Sequence, residues 1–129
     1  MRKQYNFWPW PTDDGRSDAW DVDRLIELTD GFSVEEVPID SIWQLDSPHW
    51  GTVTPRDMAE HVRCVDETDL THPIILSADG RVMDGMHRVV KALMEGRTTI
   101  SAVRFDVQPE PDFRNCRPED LSYEETSDW

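Results

Sequence analysis

The segment that most constrains the fold is residues 72–96, HPIILSADGRVMDGMHRVVKALMEG. HPIILS predicts a strand, ADGR predicts a tight hairpin turn, and RVM predicts the returning strand. The helix that follows has apolar residues at positions i, i+3, i+4 and i+7: Met86, Val89, Val90 and Leu93. This spacing predicts an amphipathic helix, and Gly96 is expected to end it. Since the hairpin leads directly into the helix, the fold must combine strands with packed helices.

One further strand is predicted on each side of this segment. VEEVPI, at residues 34–39, has the composition of a strand that leads into a loop. ISAVRFDV, at residues 100–107, predicts a last strand in which Val103, Phe105 and Val107 alternate toward one face. The chain therefore offers strands both before and after its hairpin.

Two helices are predicted before the hairpin. TPRD, at residues 54–57, has a hydroxyl cap, a proline at the first helical position and an acid at the third, which is typical of a helix start. The buried stripe of this helix is expected to comprise Met58, Val62 and Val65. A shorter helix, capped by Ser17 or Asp18, is expected to run to Thr29.

These elements predict an α+β fold: a single small domain with a mixed sheet and packed helices. Residues 1–33 form an aromatic N-terminal arm and the short helix, residues 34–107 form the domain, and residues 108–129 form an acidic, proline-containing tail. The arm either covers the core or binds a partner. The tail has three prolines and seven acids against two arginines, so much of it is expected to be flexible.

Composition and charge argue against several classes of protein. The chain has 27 acidic residues against 13 Lys and Arg, and its net charge of −14 would repel the phosphates of duplex DNA. It lacks an apolar run long enough for a membrane helix and an apolar segment typical of a secretory signal, so a cytoplasmic location is expected. Cys64 and Cys116 are isolated and are expected to be free thiols, and no metal site is predicted.

The motif DGMHR, residues 84–88, places two potential cations in the first turn of a helix. A helix N-terminus has a partial positive charge and unpaired N–H groups, so it favours anions. The two potential cations are repelled by the positive end of the helix dipole, and a bound phosphate would turn this repulsion into attraction. The glycine lets backbone N–H groups approach the phosphate, and the planar guanidinium of Arg88 suits its oxygens. His87 donates to an oxygen or transfers a proton. The motif thus predicts a pocket for a phosphate-bearing ligand.

A second interpretation gives the same residues no ligand. Asp84 is then the helix cap and Gly85 a turn residue, while His87 and Arg88 are exposed polar residues opposite the apolar stripe. His87, Lys91 and Glu95 form one solvated face. The two interpretations differ in what His87 and Arg88 contact. The local pattern alone leaves both open.

The order of elements around Gly85-Met86-His87-Arg88 resembles the ParB N-terminal and sulfiredoxin superfamily, whose α+β domain binds a nucleotide at a G-x-x-R helix start. The resemblance covers about residues 34–107. It implies that these four residues bind ATP or another nucleotide, with magnesium. Met86 stands where sulfiredoxins have their reactive cysteine, so sulfiredoxin activity is not expected. The tail is also too short for the helix-turn-helix domain of ParB proteins.

The D-G-x-H-R form is similar to that of the free-serine kinases of this superfamily, which implies a phosphotransferase or nucleotidase acting on a small molecule. The candidate catalytic residues are Asp84, His87 and Glu60. Asp57 is a second candidate base, and both Glu60 and Asp57 also fit an ordinary exposed or capping acid. His49 and Trp50 are candidates to flank the ligand.

The alternative function is non-catalytic. The net charge of −14, the tryptophan-rich arm and the acidic tail suit docking on a basic protein surface. The protein would then be an interaction, regulatory, inhibitor or immunity-like protein that keeps the fold. Arg88→Ala is expected to abolish nucleotide binding in an enzyme and to leave partner binding intact in a docking protein.

Overall fold

The computed structural model describes residues 4–8, 16–46 and 54–123, which form seven strands and three α-helices. The elements are, in chain order, β1 (Tyr5–Trp8), β2 (Ser17–Asp21), α1 (Val22–Leu28), β3 (Glu35–Pro38), α2 (Pro55–Glu67), β4 (Ile74–Leu76), β5 (Val82–Asp84), α3 (Met86–Met94), β6 (Thr99–Arg104) and β7 (Phe113–Cys116). The fold is α+β, as predicted. None of the helices in the described ranges has the length and apolar content needed to span a membrane.

The chain divides into two compact units. The central unit is Gly31–Val107, and the terminal unit combines Met1–Asp30 with Gln108–Trp129. Cys64 in the central unit and Cys116 in the terminal unit are free thiols, as predicted.

The central unit contains a four-stranded sheet in the order β3-β6-β4-β5. β6 runs antiparallel to β3 and parallel to β4, and β4 runs antiparallel to β5. Because parallel neighbours need a crossover connection, α3 lies in the chain between β4 and β6 and packs against both. The core includes Val37, Ile39, Ile42, Ile74, Leu76, Val82, Met86, Val89, Ala92, Ile100 and Ala102.

The predicted hairpin is confirmed. β4 and β5 are joined by a tight turn in which the Ser77 N–H donates to the Arg81 carbonyl at 2.7 Å and the Gly80 N–H donates to the Ser77 carbonyl at 3.0 Å. The buried side chain of Gln44 accepts a hydrogen bond from the Val82 N–H at 2.6 Å. The hairpin thereby delivers the end of β5 to the start of α3.

The two ends of α3 depend on glycines. Gly85 is the N-cap residue, with φ at 105°. At the other end the Gly96 N–H donates to the Leu93 carbonyl and the Arg97 N–H donates to the Ala92 carbonyl, which is a Schellman motif and confirms Gly96 as the helix stop. The predicted stripe is wrong at Leu93, which is exposed. The buried residues of α3 are Met86, Val89 and Ala92.

The start of α2 is as predicted, but the buried face is not. Thr54 and Asp57 form a reciprocal capping box. Met58 and Val62 were expected to be buried, yet they are 53% and 59% exposed. Val65 is buried, because α2 packs against α3 through the face that carries it.

The last strand of the central unit is shorter than predicted. β6 ends at Arg104, and although Val103 and Phe105 are buried as expected, Val107 is 81% exposed. The Phe105 N–H still donates to the Leu76 carbonyl at 3.1 Å, which is the last bond between this segment and β4. The chain leaves the sheet after that residue, so the alternation has no surface to pack on at position 107.

The terminal unit contains a three-stranded sheet in the order β1-β2-β7. The prediction of a helix from Ser17 is wrong, since residues 17–21 form β2 and Asp21 is the N-cap of α1. The reason is long-range: β2 pairs with β1 on one side and with β7, from the acidic tail, on the other. The buried indole of Trp20 also donates to the Pro109 carbonyl at 2.8 Å.

Candidate functional site at the start of α3

The site is built where β5 ends and α3 begins. Gly85 has φ at 105°, a conformation that L-residues with a side chain rarely adopt. A Cβ atom there would lie 2.7 Å from Ile74 Cγ2 and 3.0 Å from Arg88 Nε. The glycine is therefore required both by the backbone turn and by the close packing of its neighbours.

Asp84 and Arg88 form an ion pair across this turn. Arg88 Nη2 lies 2.9 Å from Asp84 Oδ2, and the two side chains are only 15% and 14% exposed. Arg88 Nη1 also donates to the carbonyls of His72, at 3.3 Å, and Pro73, at 3.1 Å. This Asp84–Arg88 clasp joins the start of β4, the end of β5 and the first turn of α3.

The clasp leaves Asp84 in an unusual electrostatic environment. Burial raises the pKa of Asp84 above its ordinary value, because removal from water disfavours the carboxylate. The charge and hydrogen bond of Arg88 and the Gly85 N–H lower the pKa, and they offset only part of the effect of burial. Asp84 is thus a mostly buried carboxyl that holds its proton more tightly than a surface aspartate does.

His87, the second residue of α3, meets a histidine from the neighbouring helix. His87 Nε2 and His61 Nδ1 are 3.0 Å apart, with both side chains half-buried. At this distance one imidazole donates a hydrogen bond to the other. The His61–His87 pair therefore places two imidazole rings beside the N-terminus of α3.

The N-terminus of α3 has the properties of an anion site. No side-chain hydrogen bond from the described residues caps this helix, and its first turn contains no acid. The first N–H groups of a helix have no partners within the helix, and the helix dipole adds a partial positive charge. A phosphate or carboxylate oxygen is the ligand that such a terminus accepts best.

The predicted site residues come together only in part. Asp84, Gly85, His87 and Arg88 lie in one turn of chain. Met86 is buried in the core, so it contributes packing and its backbone rather than a side-chain contact.

The two candidate bases on α2 are engaged elsewhere. Glu60 is exposed and forms an ion pair with Arg63, and Asp57 is part of the capping box. His49 and Trp50, the candidates to flank a ligand, lie outside the described residues.

The ligand-free interpretation is wrong for four residues. Arg88 was expected to be exposed, yet its side chain is only 15% exposed. The N-cap is Gly85 rather than Asp84, and His87 contacts His61 instead of lying on a solvated face. Lys91 Nζ donates to the carbonyls of Asp66 and Thr68, at 3.0 and 2.9 Å, where α2 ends. A cation there interacts favourably with the negative end of the helix dipole.

An open cleft lies at the other end of α3. It has a volume of about 380 Å³ and is lined by residues 68–71 with Lys91, Glu95 and Arg97. Arg97 pairs with Glu95 at 3.0 Å, and Lys91 donates to backbone carbonyls, so both cations already have acceptors in the protein. None of the predicted site residues lines this cleft.

Metal ligands are sparse in the described part of the chain. It contains no group of three or more His, Cys, Asp or Glu side chains placed to hold a metal ion.

His61 is a site residue that the sequence analysis does not identify. The signal available is that His61 and Val65 are four residues apart and so share one face of α2. Met58 and Val62 are the more apolar pair with the same spacing, and they indicated the wrong face. The partner of His61 lies 26 residues further along the chain, beyond any helical periodicity.

Comparison with known proteins adds no assignment. No protein-family model, curated protein or solved structure matches the chain at a significant level.

Removal of Arg88 is expected to destabilise the protein. Arg88→Ala leaves the half-buried Asp84 without its charge partner and frees the His72 and Pro73 carbonyls, so the free energy of unfolding should fall by about 3 kcal/mol. Urea denaturation measures the change. The control is Arg104→Ala, which removes an exposed pair with Glu35 and should cost less than about 1 kcal/mol. Equal losses in the two variants would show that the clasp has no special role.

Asp84 is expected to titrate above 3.8, the ordinary value of its pKa, because it is buried. The pKa of Asp84 is higher in the folded than in the unfolded chain. Its contribution to the free energy of unfolding therefore falls as the pH rises from 3.8 to the folded pKa, and it stays constant above that pH. Carbon-13 NMR of the carboxyl group gives the midpoint, and Asp84→Asn should lack this part of the pH dependence of unfolding. A midpoint at or below 3.8 would show that Arg88 outweighs burial.

Proposed function

We propose that the central unit binds a nucleotide, or another small molecule with a phosphate group, at the N-terminus of α3. The observation that carries the proposal is the uncapped first turn of α3, which follows Gly85 at φ 105° and has His87 at its second position. The resemblance of DGMHR to the ParB and sulfiredoxin motif supports a nucleotide as the ligand. ATP with magnesium is the first ligand to test.

The clasp prepares this turn for an anion. Asp84 directly precedes the helix, and a fully charged, unpaired carboxylate there would repel a phosphate. Arg88 balances its charge at 2.9 Å. This ion pair reduces the negative charge that an approaching phosphate meets.

Arg88 supports the ligand site chiefly by holding the turn in position, and not by contact with the ligand. Both N–H groups of its Nη1 are directed to backbone carbonyls, and Nη2 is bound to Asp84. Its positive charge still lies within one turn of the helix start. We therefore assign phosphate contact to the backbone N–H groups and to His87, and assign to Arg88 the positioning of the turn.

His87 is also the residue that supports a catalytic extension of the proposal. Phosphoryl transfer to a small molecule needs a group that accepts the proton of the attacking hydroxyl or water. An imidazole whose orientation is fixed by a neighbour at 3.0 Å suits this role better than Glu60, which pairs with Arg63. A phosphotransferase or nucleotidase would use His87 in this way, with His61 as its orienting partner.

One observation favours a second function, that of an acidic interaction protein. Met58 and Val62 lie one turn apart on α2 and are each more than half exposed. Acidic residues occupy the same helix at Asp57, Glu60 and Asp66, and the whole chain has a net charge of −14. An apolar pair among acids on an acidic protein fits a basic protein partner.

The phosphate site is tested by placing a negative charge on one side chain. His87→Glu places a carboxylate in the first turn of α3, where it stabilises the helix by about 0.3–1 kcal/mol but repels an anion. Calorimetric titration with ATP and magnesium should show binding to the natural protein and none to His87→Glu. Release of phosphate, or its transfer to an added small acceptor, is measured in the same samples.

The matched control for this experiment is Val107→Glu. It adds the same charge to the same unit at a side chain that is 81% exposed and outside α3, and it should leave ATP binding unchanged. A folded natural protein that gives no heat with ATP, ADP or CTP would contradict the proposal. Equal weakening by both variants would indicate a general effect of net charge instead.

The docking function makes a separate prediction. A photoreactive amino acid at position 62 should cross-link a basic protein in an extract of the source cells, and Met58→Glu or added salt should reduce the yield, since the contact combines apolar burial with charge attraction. The unfolding curve of Met58→Glu should match that of the natural protein, because Met58 is exposed. Adducts that resist both changes would contradict this function.

A further inference from the structure

The two imidazoles of the His61–His87 pair can also be interpreted as ligands of one metal ion. The nitrogens that face each other, Nδ1 of His61 and Nε2 of His87, come from two different helices and are 3.0 Å apart. Zinc–nitrogen bonds of about 2.0–2.1 Å place two ligand nitrogens about 2.9 Å apart at a right angle and about 3.3 Å apart at the tetrahedral angle. The observed separation lies between these two values.

We propose that His61 and His87 form a binding site for a transition-metal dication of the zinc class, ligated through His61 Nδ1 and His87 Nε2. When the metal binds, the ring that donated the hydrogen bond has its proton on its other nitrogen, so that both facing nitrogens have a lone pair for the metal. The described residues supply no third ligand of the His, Cys, Asp or Glu type, so water takes the remaining positions. Such a site is open to exchange and binds more weakly than a closed structural zinc site.

The helices hold the two ligands in place before metal arrives. α2 packs against α3, and Lys91 of α3 binds the Asp66 and Thr68 carbonyls at the end of α2. The two rings therefore approach each other with little loss of conformational freedom on binding. Imidazole selects zinc, nickel, copper or cobalt, whereas magnesium prefers oxygen ligands, so this site differs from any magnesium site that accompanies a nucleotide.

The experiment is a calorimetric titration of the natural protein with zinc chloride at neutral pH, without nucleotide. One zinc ion per chain is expected. The loss of an outer-shell partner already costs about 10- to 100-fold in metal affinity, so His61→Gln and His87→Gln should each cost at least as much. His72→Gln is the matched control: this histidine is exposed and lies on neither helix, and its loss should leave the affinity unchanged.

A measurement on the natural protein tests the proposal even if the glutamine variants fold poorly. Long-range proton–nitrogen NMR of the imidazole rings, recorded with and without zinc, should shift His61 at Nδ1 and His87 at Nε2 and leave His72 unchanged. The thermal unfolding midpoint should also rise with zinc concentration, since a ligand that binds only the folded state stabilises it. His61→Gln should abolish this rise.

Three results would overturn the proposal: no zinc binding to the folded natural protein, binding that both glutamine variants retain, or zinc-induced shifts confined to the other histidines. None of these outcomes depends on the phosphate site, because the titration contains no nucleotide. Conversely, a failure to bind ATP leaves the zinc titration unaffected. The two proposals therefore fail separately.

Discussion

The ion pair between Asp84 and Arg88 is the constraint on which the candidate site depends. It joins residues four positions apart across a turn, and Arg88 extends the connection to the backbone that enters β4. The pair is only 14–15% exposed, so its geometry is fixed by packing as well as by charge. Gly85 completes the arrangement, because a side chain at that position would collide with Ile74. The clasp and Gly85 thus fix the positions of β5, the turn and α3 relative to one another at the candidate site.

The clasp also changes how the sequence motif is understood. Two cations in the first turn of a helix suggest a bound anion, because the helix dipole opposes them. In the folded protein the charge of Arg88 is balanced by Asp84, and His87 shares a hydrogen bond with His61. The motif is therefore stable without a ligand. What supports anion binding is the uncapped N-terminus of α3 itself, together with the imidazole at its second position.

Features encoded by neighbouring residues could be predicted from the sequence, and features that depend on distant residues could not. The hairpin, the capping box at Thr54 and the stop at Gly96 each arise within a few residues, and each is confirmed. β2 was predicted as helix because its β7 partner lies almost a hundred residues away. The exposed Met58 and Val62 show the same limit, since periodicity identifies an apolar face but not the surface that covers it.

The attachment of α2 to α3 has a consequence for any ligand at this site. Polar contacts made by α3 side chains hold the two helices together: His87 binds His61 in the body of α2, and Lys91 binds its C-terminal carbonyls. Val65 is the one buried residue of α2, so apolar packing contributes little to the position of this helix. A phosphate bound by His87 while His61 orients its ring would leave this contact in place, and a metal ion between the two rings would strengthen it. Under both proposals, a ligand at this site therefore keeps α2 attached to α3.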